Sequence, residues 1–200
     1  MLVEFTVSNY RSIHEPQTWS MVAAPALKEW EDRNTFPAPP PAKNMRLLRS
    51  AALYGPNAAG KSTLIQALGF MRNQVINSAR ESQQGDLIPV VPFKLTAAAR
   101  AADSEFSAQF IESGVRYEYG FRCNAVRFTE EWLYAYPTSR AQKWFHRVYD
   151  PQTDKDAYAP FSEHFLGGQQ RHVWARETRG NALFLSRCMQ SNNTQLKPVF

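Results

Sequence analysis

The chain opens on an alternation. Leu2, Glu4 and Thr6 fall on one side of an extended backbone and Val3, Phe5 and Val7 on the other, a period of two that predicts a half-buried strand. Residues 17–23, entered after Pro16, form a second short strand candidate. Four prolines between Pro37 and Pro41 predict an extended connector over 36–42, because proline fixes φ and lacks the N–H that a helix or central strand requires. Residues 46–54 predict a strand whose apolar residues come late. The period then lengthens. From Gly60 to Ser78, Leu64, Leu68, Met71 and Val75 share one helical face, with Ile65 and Phe70 close by.

Beyond Ile88 the pattern returns to short strands. Residues 105–112 alternate around Phe106, Ala108 and Phe110, and 115–121 pair with them across Ser113-Gly114 as a hairpin. Residues 126–136 and 144–149 continue in the same style. The polar stretch 150–161, with two prolines, predicts a loop. Helical spacing resumes over 181–195 through Leu183, Phe184, Arg187 and Cys188, with Leu196 beyond.

Composition narrows the class. A hydrophobic fraction of 44% with thirteen Phe, eight Tyr and five Trp is enough to build a core, which excludes wholesale disorder. No apolar run approaches the roughly 18 residues that cross a bilayer. Met-Leu-Val-Glu-Phe-Thr-Val lacks the basic start of a signal peptide, so the expectation is a cytoplasmic protein without membrane contact. Two distant cysteines, Cys123 and Cys188, exclude a disulfide scaffold and a zinc ribbon by count. A net charge of +5 permits nucleic-acid contact without demanding it.

One motif carries chemistry. Gly55-Pro56-Asn57-Ala58-Ala59-Gly60-Lys61-Ser62 matches G-x-x-x-x-G-K-[ST], between a predicted strand and a predicted helix. Backbone amides turned inward make an anion nest, and the positive end of the helix dipole adds to it. Lys61 places an ammonium on the β- and γ-phosphates, the Ser62 hydroxyl ligates Mg2+, and Thr63 donates to the α-phosphate.

Val-Ser-Asn-Tyr-Arg-Ser-Ile (7–13) followed some forty residues later by this loop resembles the ABC-type AAA ATPases, relatives of the SMC and RecF heads and the OLD nucleases. The resemblance extends through residues 92–95, 117–121, 130–134 and 181–186, which fit bacterial ATP-binding proteins of defence loci. It implies an α/β fold with an ABC-ATPase-like P-loop core, an antiparallel β-lobe and a C-terminal lobe lying outside this chain. The chain would then be the N-terminal part of one ATPase head, with a core over 1–80, the β-lobe over 88–165 and the start of a helical segment over 172–200.

By the same resemblance, Arg11 contacts phosphate or the adenine side, Asn9 shapes the turn, and Gln190 is the candidate glutamine that senses the γ-phosphate and the metal. The cofactors implied are ATP and Mg2+. The implied partners are a second head, giving a homodimer or higher homo-oligomer, and a nuclease or toxin effector, with antiphage defence as the setting. The rival reading is a DNA repair or recombination head of SMC/RecF type. A third is a head that holds ATP and never cleaves it.

The sequence also departs from that pattern. The signature motif, an Asp-Glu Walker B strand and the switch histidine are absent, so ATP hydrolysis belongs to the full-length protein rather than to this chain. The nearest approach to Walker B is 125–131, ending in Glu130-Glu131. Paired-acid catalysis there is disfavoured, because neighbours on a strand face opposite ways. The four histidines share no metal-ligand spacing. Two basic-aromatic stretches (Arg140, Lys143, Trp144, His146 and Arg147; Arg171, His172, Trp174, Arg176 and Arg179) are candidates for nucleic-acid contact.

Overall fold

The alternation at the N-terminus becomes β1 (Leu2–Ser8), with Val3, Phe5 and Val7 buried and their neighbours half-exposed. A strand needs partners for its N–H and C=O groups, and β1 has two: β2 (Gln17–Ser20) and β5 (Ser104–Glu112), both antiparallel. Next come β6 (Val115–Cys123), β7 (Phe128–Tyr136), β8 (Gln142–Asp150) and β9 (Lys155–Tyr158). Together they form a seven-stranded sheet of order β2-β1-β5-β6-β7-β8-β9, each pair antiparallel. In the turn between β5 and β6 both central residues are left-handed, Ser113 at φ 51 and Gly114 at φ 75, the twist that suits a two-residue hairpin. This computed structural model describes residues 1–200 except Leu27, Pro41, Lys43 and Asn44.

One face of the sheet carries the core. Phe5, Phe106, Phe121, Phe128 and Phe145 are fully buried there and meet Phe165 and Phe184 from beyond the sheet. Their rings pack tilted or edge-on, as the Phe121–Phe128 pair does with centroids 5.3 Å apart at 90°. The helix α2 (Lys61–Asn77) covers this face with Ala67, Phe70, Met71 and Val75. Leu64 and Leu68 are partly buried, and Ile65 turns out to solvent. On the outer face Trp132 crosses Gly120, where an added Cβ would lie 2.3 Å from the indole and 2.9 Å from the Phe106 carbonyl.

Several expectations need correction. Residues 46–54 are not one strand: β4 (Arg46–Leu48) pairs with β3 (Thr35–Pro37) in a separate hairpin, and residues 51–58 belong to no sheet. Ala51–Tyr54 has strand-like residues but, among the described residues, no neighbour to complete its hydrogen bonds, and Tyr54 is 91% exposed. The proline connector begins inside β3, an edge position that tolerates Pro37, while Pro41 lies outside the described residues. The predicted loop 150–161 contains β9. The helical reading of 181–195 resolves into α5 (Phe184–Gln190) and a 3-10 turn (Thr194–Leu196) capped by the Asn193 side chain. Short helices at Glu31–Asn34 (α1) and Ala97–Ala101 (α3) lie outside the elements read from the sequence, and α4 (Gln170–Glu177) begins two residues before the helical segment expected over 172–200. Among the described residues no helix is long and apolar enough to cross a membrane.

Candidate nucleotide-binding site

The α2 N-terminus is left without a cap of its own. Gly60 sits at the cap position with φ 87, a left-handed conformation that strains any residue bearing Cβ, and the first turn holds no acid. The first intrahelical bond runs from the Leu64 N–H to the Gly60 carbonyl, 3.1 Å. The N–H groups of Lys61, Ser62 and Thr63 therefore have no acceptor within the helix. Among the described residues, no backbone N–H between Ser50 and Ala58 has a backbone partner either. Gly55, Pro56, Asn57, Ala58 and Ala59 are all exposed, with Ala58 left-handed at φ 65. A row of donors without backbone acceptors at the positive end of a 17-residue helix has the electrostatics that attract an anion.

The side chains extend this arrangement. The Lys61 ammonium folds back over the loop and donates to the Gly55 and Pro56 carbonyls, 2.7 Å each. The Ser62 side chain is exposed. Thr63 Oγ1 lies 2.7 Å from Ser12 Oγ, and Arg11 donates to Gln66 Oε1 at 3.0 Å while its guanidinium lies over the Tyr10 ring. The turn after β1 and the first turn of the loop's helix are thus in contact.

Asn9 works from behind that turn. Its backbone is left-handed at φ 50, and the buried side chain accepts from the Phe93 N–H at 3.0 Å and donates to the Ala99 and Ala102 carbonyls at 2.9 Å each. Gln190 is placed elsewhere. It lines a cavity of about 420 Å³ with Ala79, Glu177, Arg179 and Arg187, to which no phosphate-loop residue contributes. Ala79 lies past the C-terminal end of α2, and α2 is about 25 Å long at roughly 1.5 Å per residue.

A second cavity of about 420 Å³ opens beside the loop. Gly60 and Lys61 line it at the phosphate end, and Ser12, His14, Gln17 and Tyr54 line it elsewhere. His14 and Gln17 escape a reading of the sequence. They reach the loop only because the chain between β1 and β2 folds back, and neither belongs to a recognisable spacing.

The acidic pair divides as its strand position requires. Glu130 faces outward to His146 (2.7 Å) and Arg122 (3.1 Å). Glu131 is fully buried and accepts from Tyr119 Oη at 3.0 Å and from the Phe184 and Leu185 N–H groups at 2.6 and 3.0 Å, so it caps α5. Burial pushes its carboxyl above the ordinary range, a rise that Arg147 and the three donors offset only in part.

Arg147 is buried as well. It donates to the Ala182 carbonyl and to Asp156, 2.8 Å each, and lies 3.7 Å from Glu131. The basic-aromatic stretches are therefore divided: Arg140, Lys143, His172 and Arg176 are exposed, and the rest are buried or held by internal partners. Arg147, Trp144 and Trp174 are buried, Arg179 donates to the Ala79 and Ser82 carbonyls, and Arg171 to those of Ser162 and Phe165. Both cysteines are buried, and burial pushes their thiols upward, which leaves them inert.

An uncapped helix behind a G-x-x-x-x-G-K-S loop, on an α/β scaffold with a mostly antiparallel sheet, defines a P-loop nucleotide-binding domain. A family model described as "AAA domain, putative AbiEii toxin, Type IV TA system" matches residues 50–181, from the loop through β9 and α4. The chain belongs to this AAA-domain family. No curated protein matches it.

Proposed function

We propose that this chain is the ATP-binding head of an ABC-type AAA ATPase, whose nucleotide state governs pairing of heads and, through it, an effector. The observation that carries the reading is that, among the described residues, the backbone amides from Ser50 to Ala58 and from Lys61 to Thr63 have no backbone acceptor, with the Lys61 ammonium folded over them. Those donors suit a polyphosphate. Lys61 holds carbonyl oxygens at 2.7 Å and would exchange them for β- and γ-phosphate oxygens. The exposed Ser62 hydroxyl is free to join Mg2+, which when bound neutralises phosphate charge.

Hydrolysis needs a water-positioning carboxylate, and Glu131 does not serve, being buried beneath α5. A nucleotide-switched head with catalysis completed elsewhere in the assembly fits this division. The family description names a toxin and a type IV toxin–antitoxin system, which supports a toxin–antitoxin setting for the head; the separate effector and the defence role are part of the proposal.

The test is Mg2+-dependent binding of a fluorescent ATP analogue to this chain and to Lys61→Ala, followed by light scattering with and without ATP. Lys61→Ala should weaken binding at least about tenfold, the loss of charge-assisted hydrogen bonds. Equal binding by both proteins would sink the reading.

A further inference from the structure

The cavity beside the loop is more than the phosphates need. Its volume of about 420 Å³ falls in the range of small-molecule sites. Lys61 and Gly60 mark where a triphosphate would sit, so the rest of the space is available to the nucleoside. Two side chains there have chemistry that suits a base. The His14 ring is stacked on Phe93, centroids 4.7 Å apart at 21°, and the Phe93 N–H is itself held by the Asn9 side chain. The His14 carbonyl is also fixed, accepting from the Asn9 N–H at 3.0 Å. His14 is therefore a braced ring lining the cavity, the kind of platform on which a base stacks. Gln17, exposed at the first position of β2, brings an amide with one donor group and one acceptor side by side. Adenine presents a matching pair at its 6-amino group and N7, whereas guanine presents two acceptors along that edge.

We propose that this cavity is an adenine subsite in which the base stacks on His14 and is read by the Gln17 amide. The proposal rests on the nucleotide-binding reading of the loop and adds to it the two residues that select the base. It also gives Asn9 a role at a distance: by holding Phe93 it positions the platform.

The experiment is displacement of the fluorescent ATP analogue by ATP, GTP and tripolyphosphate, with Mg2+ present. The proteins are the unaltered chain, Gln17→Ala, His14→Ala, His14→Phe and Lys61→Ala. Gln17→Ala should weaken ATP about tenfold and leave GTP and tripolyphosphate unchanged, as the loss of one paired edge contact requires. His14→Ala should weaken ATP and GTP alike by about tenfold and spare tripolyphosphate, and His14→Phe should restore both nucleotides. An unchanged ATP-to-GTP ratio in Gln17→Ala overturns the proposal. So does tripolyphosphate weakening in step with ATP in His14→Ala, which would mean that the loop had merely shifted. Failure of the unaltered chain to bind ATP, or equal binding by Lys61→Ala, overturns the nucleotide reading itself and this subsite with it.

Discussion

Replacing Arg147 by Met should cost this protein about 3–5 kcal/mol, the range for breaking a buried ion pair by removing one partner. The guanidinium is 1% exposed and donates to the carbonyls of Ala182 and Arg179 and to Asp156, with Glu131 3.7 Å away. Methionine fills much of the same space but leaves two carbonyls and the fully buried Glu131 without their cation. For a chain of this size the cost corresponds to roughly 6–20 °C in Tm, at about 2–4 °C per kcal/mol.

The structure also dictates the shape of a double-mutant cycle. Glu131→Gln removes the charge that Arg147→Met strands, so the double variant should be more stable than the sum of the singles by at least about 1 kcal/mol. The assay is urea unfolding followed by Trp fluorescence, comparing midpoints at constant m-value. A loss below about 1 kcal/mol in Arg147→Met, or strict additivity in the cycle, would show that the network contributes little.

Gly120→Ala forces a Cβ to within 2.9 Å of the Phe106 carbonyl and 2.3 Å of the Trp132 indole, so it should destabilise by about 1–3 kcal/mol in the same assay. Adding Trp132→Ala should recover only the indole's share. Asn9→Gly keeps the left-handed backbone but strands the Phe93 N–H and the Ala99 and Ala102 carbonyls; a midpoint loss equivalent to about 1–3 kcal/mol is expected. Because the folded Glu131 carboxyl titrates above its unfolded value, its share of stability is present below about pH 4.3 and is lost as pH rises through the folded value. Glu131→Gln should remove that part of the pH dependence of the urea midpoint, and an unchanged slope would contradict the direction.

What the sequence made legible was whatever depends on near neighbours. The two-residue period of β1 and β5–β8, the Ser113-Gly114 turn and the helix after Gly60 are written into consecutive residues, and so is the phosphate loop. What it hid depends on partners far along the chain. Polar β9 is a strand because β8 pairs with it and because Asp156 meets Arg147 and Arg127. Ala51–Tyr54 reads as a strand yet has no strand beside it among the described residues. The sequence argues against paired-acid catalysis at Glu130-Glu131 but gives Glu131 no other role, because the Phe184 and Leu185 N–H groups that donate to it lie more than fifty positions away. In the site the loop was readable and the cavity was not, because His14 and Gln17 reach it only through the fold of the chain after β1.

The lone Ala51–Tyr54 segment bears on how tightly any ligand can be held. A loop steadied by few internal bonds visits its binding-competent shape for only part of the time, and measured affinity is the intrinsic value scaled by that fraction. Whatever seats Ala51–Tyr54 in a sheet would raise affinity without touching the ligand. By reciprocity, a bound ligand would tighten the grip of whatever seats it, by the same factor.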